Sequence, residues 1–217
     1  MNVLIVDDHP MTVDGYVLAL SKESMAFSTP FFDTAFSCEG AYKCIKDAQG
    51  IYTYDIAIID LDLPASINPP IASGKELALL LRKLMPDTKI IMITAHTELI
   101  TIYDIWKAVV PEGLIIKNDL NPREMLQIVG AIYNGGTYKS PLADKSIREI
   151  WKKELMIEDY NRQIIYYLSL GFRVKDLHEV MSLSQGAIQK RLIKINSVFE
   201  VKDKDGLLKE VKRLGFI

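Results

Sequence analysis

Residues 3–10 read VLIVDDHP: an apolar run stops abruptly at two adjacent carboxylates, and a second apolar run, at 56–59, stops at a third, Asp60. A continuous stretch of Val, Ile and Leu is the signature of a parallel strand buried on both faces, and ligands in open α/β sheets gather outside the carboxyl ends of such strands. Three acids on two such ends repel one another unless a cation lies among them. A hard divalent ion such as Mg²⁺, which takes oxygen ligands and keeps several waters, would relieve that repulsion and leave room for a phosphate.

Further along, apolar runs expected to be strands at 2–6, 31–36, 56–59, 89–93 and 113–116 alternate with helical patterns at 11–22, 40–48, 75–84, 99–107 and 123–134. Five such βα units imply a five-stranded, doubly wound parallel sheet with helices on both faces. Right-handed crossovers bring the ends of the first, third, fourth and fifth strands to one edge. At that edge Asp7 and Asp8 would hold the metal, directly or through water, and Asp60 would present a carboxylate to an incoming phosphoryl group. Thr94 and Lys117, ending the fourth and fifth strands, would bind its oxygens. A carboxylate can act as a nucleophile toward phosphorus when a metal and a cation offset the charge that builds up. Singly, an acid at a strand end is an ordinary helix cap and a lysine an ordinary surface group; the full set, in order after successive strands, favours the chemical reading.

After a turn cluster, NGGTYKSP at 134–141, comes a polar helical stretch at 142–154 with the look of a linker. From 156 onward the pattern is purely helical, with helices expected at 158–170 (stopped by Gly171), 174–181, 183 or 184 to 199, and 204–214. A helix, a short turn at 182–184 and a second helix have the spacing of a helix-turn-helix. The expected organisation is therefore an α/β domain at 1–137, a linker at 138–155 and an all-α domain at 156–217. Up to residue 155 the chain has 15 Lys+Arg against 20 Asp+Glu, net −5; beyond it 11 against 8, net +3. An acidic first part suits a cation site, and a basic second part points toward nucleic acid. In the second helix, SQGAIQKRLIK at 184–194, Gln185 and Gln189 could approach base edges, while Lys190, Arg191 and Lys194 could meet phosphates; Arg173 and Lys175, opening the preceding helix, could reach the DNA backbone. Ile188, Leu192 and Ile195 recur at helical spacing and are expected to pack on Leu177 and Val180.

A chain of 217 residues, 49 % apolar, suffices for two cores. It has no uncharged apolar stretch of about 18 residues and no leader pattern, so a cytoplasmic protein with no membrane partner is expected. Cys38 and Cys44 suit neither a CxxC redox pair nor a zinc knuckle and are expected to be free thiols in or near a core.

These motifs resemble those of two-component response regulators of the NarL/FixJ class, which join a CheY-like, flavodoxin-like receiver to a LuxR-type helix-turn-helix. The resemblance rests on VDDHP at 6–10, IIDLDLP at 58–64, ITAH at 93–96, LIIK at 114–117 and GGTYKSP at 135–141. It implies phosphorylation of Asp60 by a sensor histidine kinase, with Mg²⁺ bound by Asp8, Asp60 and the backbone carbonyl of Asp62, and by Asp7 through water. It further implies that Thr94 and Lys117 grip the phosphoryl oxygens, and that an activated homodimer binds double-stranded DNA to regulate transcription. The output is binding, not catalysis.

Several positions depart from that pattern. Leu114 stands where many receivers have an aromatic switch residue, at a place expected to border the surface and to tolerate tyrosine. The stretch ASINPPIAS at 65–73 is longer than the usual turn, and Pro69 and Pro70 should hold it extended, either over the acceptor, as a partner surface, or as a tolerated insertion. In the helical part, Ala187, Gln189 and Arg191 replace favoured Thr, Lys and His, and Asn161 and Gln163 replace two glutamates. Two other readings compete: a receiver-gated protein-interaction module that does not bind DNA specifically, and a phosphatase of the haloacid dehalogenase type, for which Asp62, two residues after Asp60, would be the second acid.

Overall fold

The computed structural model describes residues 1–21, 30–121, 124–214 and 217, with backbone alone at 153 and 155–157. Lys22 and Arg123, which belong to helices expected from the sequence, lie outside these residues. Among the described residues no helix is long and apolar enough to cross a membrane. The chain divides into two compact units, Met1–Ser146 and Ile147–Ile217.

The first unit is built on strands β1 (Asn2–Val6), β2 (Phe31–Ala35), β3 (Ile56–Asp60), β4 (Lys89–Thr94), β5 (Gly113–Ile116) and β6 (Tyr138–Lys139). They form one parallel sheet in the order β2-β1-β3-β4-β5-β6. Between them run α1 (Pro10–Ser21), α2 (Cys38–Ala48), α3 (Gly74–Leu84), α4 (Leu99–Val109) and α5 (Met125–Tyr133). Val3, Ile5, Ile56, Ile58, Ile91, Ile93 and Ile115 share one buried cluster with Val13 and Leu20 of α1 and Ile128, Val129 and Ile132 of α5. The residues alternating with them, such as Leu4, Ala57, Ile59, Met92 and Leu114, are buried as well. Both sheet faces are therefore covered, which is why these strands read as unbroken apolar runs. Ser37 and Ser73 cap α2 and α3 by accepting from the amides of Gly40 and Glu76. Cys38 is buried, Cys44 half-buried, and both thiols are free.

The sixth strand corrects the expected count of five. Gly135 adopts φ +90, and the chain doubles back so that Tyr138 donates to the Glu112 carbonyl (2.8 Å) and Ser140 to that of Leu114 (3.0 Å). A stretch assigned to the linker thus covers the open edge of β5. Beyond it, α6 (Pro141–Ile157) is one helix, which contains the division between the two units.

Two more expectations fail. Leu114 is 1 % exposed and cannot border the surface, because β6 lies beside it. Residues 66–71 are not extended: Ser66 and Ile71 exchange backbone hydrogen bonds of 2.8 and 3.0 Å, closing a compact turn. Burial of Ile71 anchors this turn and leaves Ile67 at its tip, 93 % exposed.

The second unit contains α7 (Asp159–Ser169), α8 (Leu177–Val180), α9 (Gln185–Phe199) and α10 (Lys204–Arg213), with a 3₁₀ turn at Val174–Asp176 leading into α8. Gly171, at φ +95, ends α7 in a left-handed turn in which its amide bonds the Leu168 carbonyl and that of Phe172 bonds Tyr167. Ile164, Ile165, Leu168, Leu177, Ile188, Leu192, Ile195, Phe199, Leu207 and Val211 form the core. Val180 is not part of it. The 3₁₀ turn advances three residues per turn instead of 3.6, which rotates Val180 outward to 39 % exposure and puts Met181 in its place. Helices α8 and α9, separated by residues 181–184, make the helix-turn-helix.

Candidate functional site

The parallel register places the ends of β1, β3, β4 and β5 side by side, with Val6 opposite Ile59, Asp60 opposite Ile93 and Thr94 opposite Ile116. Each strand stops where a polar residue emerges at the sheet edge, and all three core acids of the sequence argument meet there. Asp7 and Asp60 are 1 % and 3 % exposed, and Lys117 bridges them, its Nζ 2.9 Å from Asp7 Oδ2 and 2.7 Å from Asp60 Oδ1. Asp8 is half-exposed beside His9, whose Nδ1 lies 2.6 Å from Asp8 Oδ1 and 3.3 Å from Asp7 Oδ1. Asp60 Oδ2 accepts from the Asp62 amide at 2.9 Å. Thr94 is fully buried, and its hydroxyl accepts from the His96 amide at 3.0 Å.

Burial pushes the Asp60 carboxyl above the ordinary carboxylate value; the Lys117 ammonium pulls it back, and the neighbouring Asp7 raises it further. Burial works against the Lys117 charge, yet the two carboxylates outweigh it and hold the ammonium protonated. Asp60 Oδ1 is buried with no hydrogen bond besides its ion pair, so an acceptor remains open in the cluster. Among the described residues, a carboxylate oxygen each from Asp7 and Asp8 and a His9 ring nitrogen lie within 4.8 Å of one another, and the two carboxylates fit part of the donor set of a hard divalent cation.

Three participants were not singled out from the sequence. Tyr16, on α1, has its hydroxyl pushed up to about 12 by burial and by the negative charge of Asp7 and Asp60. His96 sits between Asp62 (Nε2 to carboxylate, 3.2 Å) and Glu98 (Nδ1 to carboxylate, 2.9 Å), tying the loop after β3 to the loop after β4. Its presence in the ITAH segment was visible, but no spacing rule pairs it with an acid 34 residues earlier. The Asp62 side chain is 59 % exposed and engaged by His96. Gly74 is the third: a Cβ there would strike the carbonyl of Asp60.

In the helical unit, Ser184 caps α9 by accepting from the Ala187 amide. Gln185, Gln189, Lys190 and Lys194 are exposed on α9, and Lys175 on the turn before α8. Arg173 donates to Asp176 (2.6 Å), so that cation is engaged within its own turn. Arg191 points toward α7, where its Nη1 reaches Glu158 Oε2 (2.5 Å) and the buried Asn161 Oδ1 (3.0 Å) while its guanidinium lies 5.4 Å from the Tyr160 ring centre. Lys194 Nζ is 3.8 Å from the other Glu158 oxygen.

The response regulator receiver domain family matches residues 3–129, and the chain belongs to that family. Transcriptional regulatory protein LnrK of Bacillus subtilis (strain 168) is 20 % identical over 94 % of this chain and 93 % of its own. The RcsB response regulator of Salmonella typhimurium, 18 % identical, matches 98 % of both chains with a TM-score of 0.56, and the RcsB–DNA complex does so at 0.55. A LuxR-family response regulator from Aurantimonas sp. SI85-9A1 is 23 % identical over 68 % of this chain and 95 % of its own, at a TM-score of 0.55. These structural likenesses establish the two-part fold, with a flavodoxin-like receiver followed by a helical unit. Members of the receiver family act in general as regulators.

Proposed function

We propose that the protein is a phosphorylation-dependent transcription regulator: a sensor histidine kinase phosphorylates Asp60, and the helical unit binds double-stranded DNA as a homodimer in the cytoplasm. The observation that carries the first half is the Lys117 bridge between two buried carboxylates at adjacent strand ends. A carboxylate oxygen of Asp60 attacks phosphorus, the kinase imidazole leaves, and an acyl phosphate forms whose oxygens Lys117 and Thr94 bind. Asp7, Asp8, Asp60 and the Asp62 carbonyl would hold Mg²⁺. When bound, that ion supplies charge neutralisation at the phosphoryl oxygens. Because the acyl phosphate changes which contacts Lys117 and Thr94 make, it shifts the receiver between states with different affinity for a second copy. The biological output is binding, with no turnover of a separate substrate.

The DNA half is supported by the helix-turn-helix with its exposed glutamines and by the fold shared with RcsB, a structure of which includes DNA. The tied cations Arg173 and Arg191 favour a second reading, in which the helical unit binds a protein partner. One experiment tests the proposal: treat the full chain with a small phosphodonor and Mg²⁺, then follow incorporation at residue 60, oligomeric state and duplex affinity together. Labelling at Asp60 with tighter, salt-sensitive duplex binding is expected. Absence of label at Asp60 overturns the receiver assignment, and labelled protein that dimerises but ignores DNA selects the protein-partner reading.

A further inference from the structure

Glu158 occupies the N-cap of α7 but forms no side-chain cap bond. N-caps favour Ser, Thr, Asp or Asn, whose short side chains reach back to the first helical amides. A carboxylate at a helix N-terminus gains from the helix dipole, but a shorter Asp would gain as much and cap the helix as well, so the stability of α7 does not call for an acid of this length. Its carboxylate is instead turned to the recognition helix, with one oxygen 2.5 Å from Arg191 and the other 3.8 Å from Lys194. Arg191 is further fixed by Asn161 and by the Tyr160 ring. Helix α9 carries three cations, Lys190, Arg191 and Lys194, so one acid engages two of them. Glu158 also lines, with Glu154, Trp151 and Ile193, a groove of about 530 Å³ that Lys190 and Lys194 border.

We propose that Glu158 is a positioning residue that restrains Arg191 and Lys194 from phosphate, so that a duplex first meets, on α9, the amides of Gln185 and Gln189 and the one remaining cation of that helix, Lys190. The inference rests on the DNA-binding reading above. Sequence-independent affinity scales with the number of cations that neutralise phosphates, whereas base-edge contacts specify sequence. In residues 156–217, whose net charge is only +3, holding back two cations lowers indiscriminate binding more than specific binding and raises the ratio between them. Exposed ion pairs are weak, so the restraint yields when phosphates are well placed and does not abolish binding.

The test uses the full chain and duplexes of arbitrary sequence over a salt series. Glu158→Gln should bind on the order of fivefold tighter at about 50 mM salt, with the slope of log affinity against log salt steeper by about one to two. Glu158→Ser should do the same while supplying the missing cap, which keeps the test readable if the glutamine variant is poorly folded. In an Arg191→Ala, Lys194→Ala background the gain from Glu158→Gln should disappear. Unchanged slopes in both folded single variants overturn the proposal, and so does a gain that persists undiminished in the double-alanine background, since Glu158 would then act by repelling phosphate directly. If neither wild type nor any variant binds a duplex at any salt, the DNA-binding reading itself fails.

Discussion

A Cβ placed on Gly74 would lie 1.8 Å from the backbone carbonyl oxygen of Asp60. The first residue of α3 is thereby pressed against the end of β3, where its amide also donates to the Leu61 carbonyl at 2.9 Å. The compact turn at 66–71 delivers the chain to this contact, so the loop after the acceptor strand and the acceptor itself share one backbone constraint. Gly74→Ala must push α3 from the strand end. It should destabilise the receiver by about 2–3 kcal/mol, in the range of overpacked cores, and slow labelling of Asp60 from a small phosphodonor. Urea unfolding and phosphate incorporation check both; wild-type labelling in a destabilised variant would show that the contact serves the fold alone.

Asp60 itself should be a source of instability before metal binds. An acid held above its ordinary value by burial contributes unfavourably once pH rises past that ordinary value, because the folded state resists losing the proton while the unfolded chain does not. Asp60→Asn should therefore raise stability near pH 7 without metal by on the order of 1 kcal/mol, a few degrees in Tm. It should also remove most of the stabilisation that Mg²⁺ gives to wild type. Thermal melts with and without Mg²⁺ measure this, and a variant less stable than wild type in the absence of metal would contradict it.

Leu114→Tyr reverses the expectation drawn from sequence. The position is 1 % exposed, between Met92 of β4 and Lys139 of β6. A tyrosine there overfills a closed space, and a loss of about 1–3 kcal/mol in denaturant unfolding is expected. Unaltered stability would mean that β6 moves aside easily.

That reversal marks how far the sequence could be read. The four central strands and the acids, threonine and lysine at their ends were legible because both faces of the sheet are buried, which makes each strand an unbroken apolar run that stops at a polar residue. Strand β6 was not, since two residues beside a Gly-Gly turn carry no periodicity; only the unsatisfied edge of β5 makes them a strand. Val180 was misplaced because a 3₁₀ turn shifts the helical phase without changing composition. The cations of α9 were visible as charges, but Glu158 and Asn161, the partners of Arg191, lie 33 and 30 residues away, and pairings at that separation depend on how α7 packs on α9.

Val110, the C-cap of α4, sits in the left-handed region at φ 48, ψ 56 and is 65 % exposed. A β-branched residue is poorly suited to that conformation, at a cost of roughly 1–2 kcal/mol. Arg82 holds it there, donating to the Val110 carbonyl at 3.0 Å while pairing with Glu112 at 2.6 Å. Val110→Gly relieves the strain but adds freedom to the unfolded chain, so a net gain of about 0.5–1 kcal/mol is expected. A destabilised glycine variant, measured by urea unfolding, would show that the valine side chain makes contacts worth more than the strain.

In the helical unit, Glu210 joins α10 to α6. Its carboxylate accepts from Arg213 (2.7 and 2.8 Å) and from Lys152 (3.3 Å), and Lys152 Nζ lies 5.8 Å from the Phe199 ring centre. The Arg213 hydrogen bonds, with Lys152 adding to them, lower the Glu210 pKa from about 4.5 to about 2. A carboxyl depressed in the folded state stabilises fully above its unfolded value and loses that contribution as pH falls through the folded one. The helical unit should therefore lose stability between about pH 4.5 and pH 2 through this group. Because Arg213, the main partner, is 65 % exposed, the contribution is smaller than the shift alone suggests. Glu210→Gln should lower stability modestly at pH 7 and flatten this part of the acid profile, with the two proteins converging near pH 2. Parallel acid titrations followed by circular dichroism read the difference, and identical profiles above pH 4.5 would mean that the Lys152–Glu210–Arg213 cluster does not hold α6 to α10.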